Sequence, residues 1–292
     1  MGFWNVLFGG NELSPEEEKK AQEEKNFDLL KYDGVKAMKI GQAEYAVRCF
    51  QEALKLQDDL EIHDYLSQSL LRLGKLDEAQ AELQVLTQAE PENAEIQKRV
   101  AQVAYMQEDY AAMAAACERA MELNAADAFA CYLNAQAQQG LGNMVGAIAM
   151  LTKAIALDEN YGDAYLLRGQ MLLTMGDIEG ADGDAAWLLE HAGEHEDVLL
   201  LKARVETAKG NEEEAIRVYD RMTEVNPFSI EAFRERGQLK FNRGDKAGAE
   251  ADMQTVLELD PNSLADVNGE YSAEGIEQRV RQAYSAVNPL GL

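Results

Sequence analysis

A glycine followed five residues later by an alanine recurs along this chain at a spacing of 33 or 34 residues. GQAEYAVRCF begins at Gly41, GKLDEAQAEL at Gly74, GNMVGAIAML at Gly142, GDIEGADGDA at Gly176, GNEEEAIRVY at Gly210 and GDKAGAEADM at Gly244. A seventh copy begins at Glu108, with Glu108 in the glycine's place and Met113 in the alanine's. The starts 41, 74, 108, 142, 176, 210 and 244 are spaced by 33 once and by 34 five times. Such a period specifies stacked supersecondary units, none of which can bury its apolar face alone.

A second column of small residues lies seven positions before each start: Gly34, Ser67, Ala101, Ala135, Gly169, Ala203 and Gly237. The alanine column reads Ala46, Ala79, Met113, Ala147, Ala181, Ala215 and Ala249. Small residues in both columns let two helices approach closely. Apolar residues recur every three to four positions between them, which is the helical period. Each unit therefore reads as helix, tight turn, helix, with the glycine at a helix C-terminus. Pro91, Pro227 and Pro261 punctuate the ends of second helices.

This pattern resembles the tetratricopeptide repeat family, a 34-residue helix-turn-helix with small residues at repeat positions 8 and 20. The family's proline at position 32 is matched in three of seven units. The resemblance implies an all-α fold, a right-handed α-α superhelix. Seven units are expected at 27–59, 60–93, 94–127, 128–161, 162–195, 196–229 and 230–263. Residues 1–26 form an apolar N-terminal segment and a charged leading helix. Residues 264–292 form a capping helix and tail, with Ile276, Val280, Tyr284 and Val287 on one face of the stretch from Ser272.

The tripeptide Arg243-Gly244-Asp245 matches a motif of adhesion ligands, but register accounts for two of its letters. Gly244 is the turn glycine, and Asp245 follows it as Asp177 follows Gly176. Other local motifs fail on context. GLGNMVG at Gly140 lacks the strand and spacing of a dinucleotide fingerprint. ADGDA at Ala181 has no glycine or terminal glutamate at the spacing of a calcium loop. His191 and His195 are four apart, but Gly193 breaks a helix between them and no further ligands are evident, so a metal site is not expected. His63 stands at an apolar repeat position and reads as packed.

The chain of 292 residues carries a formal charge of -26, which repels phosphate backbones and argues against nucleic acid as a partner. Cys49, Cys117 and Cys131 form no disulfide pattern and fit a reducing, cytoplasmic setting. No nucleophile and base are set together, so no enzymatic activity, no cofactor and no metal are expected.

Two further patterns concern side-chain roles. Arg168 and Asp184, and Arg236 and Asp252, are sixteen apart in units five and seven, on the two helices of one hairpin. They are expected to form structural ion pairs bracing those hairpins. The resemblance also implies a groove lined by the first helix of each unit, mainly at positions 2, 5, 9, 12 and 13. Position 9 reads Val35, Gln68, Gln102, Gln136, Gln170, Arg204 and Gln238. A glutamine amide both donates and accepts, so this row can hold the backbone of an extended peptide. Tyr65, Tyr105, Tyr132, Leu166 and Leu200 supply apolar surface, flanked by Lys98, Arg204 and Arg234. A non-catalytic scaffold gripping an extended, partly apolar protein segment with an acidic flank is the leading expectation. The alternative is a peripheral membrane adaptor tethered by Phe3, Trp4, Leu7 and Phe8, which can form one apolar stripe. Oligomeric state is not fixed by these features.

Overall fold

The computed structural model describes residues 14–260, which contain fourteen α-helices and no strand. The chain divides into two compact units, Met1–Ala126 and Asp127–Leu292. The first contains α1 (Pro15–Lys39), α2 (Ala43–Leu54), α3 (Leu60–Arg72), α4 (Leu76–Ala89), α5 (Ala94–Met106) and α6 (Tyr110–Leu123). The second contains α7 (Ala128–Gly140), α8 (Met144–Leu157), α9 (Gly162–Thr174), α10 (Ile178–His191), α11 (Glu196–Ala208), α12 (Glu212–Val225), α13 (Ile230–Asn242) and α14 (Lys246–Leu259). In each unit an odd-numbered helix packs against the even-numbered helix that follows it. The expected capping helix and the apolar stripe of residues 3–8 lie outside the described residues.

One boundary differs from the sequence reading. The charged leading helix and the first helix of unit one are a single 25-residue helix, α1. No breaker separates them, and the helix runs unbroken from Pro15 through Phe27 to Lys39. Its start is sharp. Ser14 Oγ accepts from the Glu17 amide at 3.3 Å, while the Ser14 amide donates to Glu17 Oε2 at 2.7 Å. This reciprocal pair satisfies two amides that the helix itself leaves open.

The turns explain the glycine column. The six turn glycines have φ between +68° (Gly74) and +84° (Gly244), where a side chain is penalised by its Cβ. Glu108 adopts φ +57° and is the one non-glycine residue with positive φ among the described residues. A left-handed conformation costs an L-residue about 1 to 2 kcal/mol. Glu108→Gly is therefore expected to stabilise the first unit by about 1 kcal/mol, read as a higher denaturation midpoint by circular dichroism. An unchanged or lower midpoint would show that Glu108 offsets its own strain.

The second helices begin with a recurring cap. Asn143, Asp177 and Asp245 each accept from the amide of the glycine three residues on: Gly146 at 3.1 Å, Gly180 at 3.0 Å and Gly248 at 3.0 Å. The same cap forms where alanine stands at that place, from Asp109 to the Ala112 amide at 2.9 Å, so it does not require glycine. All three letters of Arg-Gly-Asp thus have local work. Gly244 makes the turn, Asp245 caps α14, and Arg243 Nη2 pairs with Glu213 Oε1 at 2.8 Å.

Each unit has its own apolar core. In the first, Phe27, Phe50, Ile62, Leu66, Leu83, Leu86, Ile96 and Val103 are buried together. In the second, Leu188, Val198 and Leu201 form one cluster, Tyr219, Met222 and Leu239 another, and Met253 and Val256 a third. The alanine column is fully buried at Ala46, Ala79, Ala147, Ala181, Ala215 and Ala249. The three cysteines are buried and form no disulfide among the described residues.

Candidate functional site

The first helix of each hairpin carries the residues expected to bind. In the first unit this row is largely committed to internal contacts. Tyr65 stacks on Phe50 with centroids 5.7 Å apart, and its hydroxyl donates to Glu61 Oε1 at 2.6 Å. Gln68 donates to Asp64 at 3.1 Å. Lys98, expected as an exposed flanking cation, is buried and pairs with Glu95 at 2.7 Å. Its ammonium is held where its stem packs, so it does not stand free at the edge of a groove. Arg99 lies against Asp64, and Lys31 bridges from α1 to Glu61 at 2.6 Å. Burial opposes the charge on Lys31, but Glu61 and Asp59 more than offset it and its pKa is raised. Gln102 is half-buried and makes no side-chain hydrogen bond among the described residues; Tyr105 is exposed and packs edge-on to Tyr110 at 6.5 Å.

The second unit keeps more of its row open. Tyr132 on α7 meets Tyr161, at the start of α9, with centroids 5.3 Å apart. Gln136 reaches the Tyr132 hydroxyl at 3.5 Å. Gln170 is exposed, and Leu166 and Leu200 are half-buried; α9 and α11 touch. Gln238 donates to Asn242 at 3.0 Å, and its Oε1 is shielded from solvent without a donor among the described residues. Arg234 is half-buried and makes no ion pair among the described residues.

Arg204 departs from expectation. Expected to flank the groove, it grips Glu235 of α13 through Nε at 3.1 Å and Nη2 at 2.6 Å. The Tyr219 hydroxyl donates to the same carboxylate at 2.5 Å. Hydrogen bonding to Glu235 raises the Arg204 pKa; burial, followed by the Glu235 charge, pushes the Tyr219 phenol up. The two partners are 31 residues apart, off the repeat period, so no column reveals them.

The paired columns sixteen apart are close in space. Arg168 Nε and Nη2 donate to the two Asp184 oxygens at 2.9 and 2.6 Å. Arg236 does the same to Asp252 at 3.0 and 2.5 Å, and adds Asp220 at 2.7 Å. Lys240 gives Asp252 a second cation at 2.9 Å. Lys202 occupies the Arg168 and Arg236 position in the unit between them and pairs with Asp182 at 2.9 Å and Glu206 at 2.6 Å. That relation was missed because the acids sit at different repeat positions.

Two of the three histidines also have structural partners. His63 is bracketed by Glu82 and by Asp58, the latter at 2.9 Å. Burial disfavours its charge, but these two carboxylates prevail and its pKa is raised. His191 stacks on Trp187 at 4.5 Å, which in turn stacks on Tyr165 at 3.9 Å. Glu194 pairs with Arg221. No group of three candidate metal ligands occurs among the described residues. No described helix is long and apolar enough to cross a membrane.

Paired helices on a 34-residue period define a helical-repeat fold. The tetratricopeptide repeat family matches the chain at residues 66–128 and 207–280. These two stretches carry tetratricopeptide repeats, and the paired-helix fold of the described residues is of that kind. Its fold is similar to a tetratricopeptide repeat protein from Parabacteroides merdae, with TM-score 0.67 and 14% identity over 89% of this chain and 99% of that one. It is also similar to YrrB, described as a tetratricopeptide repeat protein with an unusual peptide-binding site. There the TM-score is 0.53 and the identity 17%, over 62% of this chain and 93% of that one. In sequence, 151 residues are 28% identical to the Protein CTR9 homolog of Arabidopsis thaliana, covering 50% of this chain and 14% of that protein's length.

Proposed function

We propose that this protein is a non-catalytic scaffold that holds an extended segment of a protein partner along the first helices of its second unit. The observation that carries this reading is the row of uncommitted groups there. Gln170 offers an exposed amide, Leu166 and Leu200 apolar surface, and Arg234 a cation with no ion pair among the described residues. Amides recognise backbone groups irrespective of side chain. Arg234 favours a carboxylate beside the apolar part of the ligand. Fold alone does not assign a ligand, so the argument rests on these residues. That YrrB is described as binding peptide agrees with the chemistry of this row without assigning it. The alternative, a peripheral membrane adaptor, draws on residues 3–8 and on nothing in the described residues.

The test is selection of extended peptides from a displayed random library. Peptides bound by the parent are expected to bind Tyr132→Glu, Gln136→Glu, Gln170→Glu at least about tenfold more weakly, a loss of about 1.4 kcal/mol. Circular dichroism should show the same helicity for both proteins. Arg234→Glu should selectively lose peptides carrying acidic residues. Equal binding by the folded triple variant rules the row out as the site.

A further inference from the structure

The repeat period shows which face of a first helix its preceding neighbour covers, and on α1 that face is bare. Leu29 is 58% exposed. Its equivalents one and two periods on are Ile62 at 0% and Ile96 at 3%; in the second unit they are Ala164, Val198 and Ala232, at 0%, 4% and 0%. Tyr32, one turn further, is 66% exposed, and Lys36 stands where Ser69, Val103, Met171 and Val205 are buried. For Ile62 and Ile96 the cover is the preceding helix: Phe50 and Ala53 of α2 lie with Ile62, and Leu83 and Leu86 of α4 with Ile96. Val198 likewise meets Leu188 of α10, and Ala232 meets Tyr219 and Met222 of α12. The missing cover is thus an apolar helical segment placed before α1.

We propose that residues 1–13 of this same chain fold back as that cover, with Phe3, Trp4, Leu7 and Phe8 on Leu29 and Tyr32. Three features select this occupant. The spacing of the four apolar residues puts them on one helical face. No side chain from Met1 to Gly10 is charged, so burial against Leu29 and Tyr32 strands no charge. The reach is sufficient. From Ser14 to Leu29 the helix climbs about 22 Å, at about 1.5 Å per residue. Extended chain from Ser14 back to Phe8 spans about 20 Å. The reversal falls immediately before α1, whose start the capping box at Ser14 fixes.

Trp4 and Trp187 are the two tryptophans of the chain, so Trp187→Phe leaves Trp4 as the sole reporter. In this full-length variant, Trp4 emission is expected to be blue-shifted and poorly quenched by acrylamide at every protein concentration. Adding Leu29→Glu and Tyr32→Glu should shift the emission to the red and raise the quenching constant several-fold, with helicity unchanged. If Trp187→Phe loses helicity, the difference between parent and Trp4→Phe emission reads the same quantity. Three results overturn the proposal: emission unaffected by the α1 substitutions, shielding lost on dilution (a second copy is the occupant), or shielding that appears only with phosphatidylglycerol vesicles.

Discussion

Arg168→Met is expected to lower the stability of the second unit by about 3 to 5 kcal/mol, the range for removing one partner of a buried pair. The Asp184 side chain is 5% exposed, and Arg168 donates to both of its oxygens. Without Arg168 that carboxylate stays desolvated with no cation, and the unit must open or protonate it. The argument concerns the orphaned charge rather than the bond itself. Arg168→Met combined with Asp184→Leu should therefore recover most of the loss, because neither charge remains. The paired hairpin supplies an internal control. Arg236→Met should cost less, since Lys240 still reaches Asp252 at 2.9 Å. An exposed pair such as Lys19–Glu23, at 3.8 Å, should cost less than about 1 kcal/mol. Denaturant unfolding followed by circular dichroism reads all four. If single and double substitutions of the Arg168 pair are equally damaging, packing and not charge is responsible.

How much of this was legible in sequence follows from which contacts obey the period. Gly244, Ala249 and Gly237 are set by the hairpin itself, so they recur every 34 residues and announce the fold. Arg168–Asp184 and Arg236–Asp252 join the two helices of one hairpin at a fixed separation, so they too appear as columns. Arg204–Glu235–Tyr219 joins successive hairpins at separations of 31 and 16 residues and occurs once, leaving no column to find. The same blindness affected the candidate site. Sequence placed Lys98 and Arg204 at open positions of the first helices, but whether a cation is free depends on neighbours such as Glu95 and Glu235. Arg234, by contrast, makes no ion pair among the described residues. The N-terminal boundary was missed because chemistry changes between Asn26 and Phe27 while backbone propensity does not.

Gly34→Ala is expected to destabilise the first unit although helix propensity alone favours alanine by about 1 kcal/mol. A Cβ at Gly34 would lie 2.5 Å from Phe50 Cε1, with two more ring carbons within 2.9 Å. Phe50 is fully buried and stacked on Tyr65, so the ring has nowhere to swing. Overpacking of this kind costs about 1 to 3 kcal/mol beyond any propensity gain. The helices α1 and α2 must part, and Ile62 and Leu66 of α3 lose contact with them. Phe50→Leu should rescue the variant, because leucine fills the equivalent place as Leu83 opposite Ser67 and as Leu151 opposite Ala135. Rescue of this kind is a coupling between the two sites, which independent residues would not show. Gly183→Ala on α10 isolates the opposing term. Nothing lies within 4 Å of its Cβ position, so that change should stabilise by about 0.5 to 1 kcal/mol. Opposite signs at two helical glycines would establish that the small-residue column exists for close approach. A gain at both would mean that Phe50 yields and that the column sets no limit on the separation of α1 and α2.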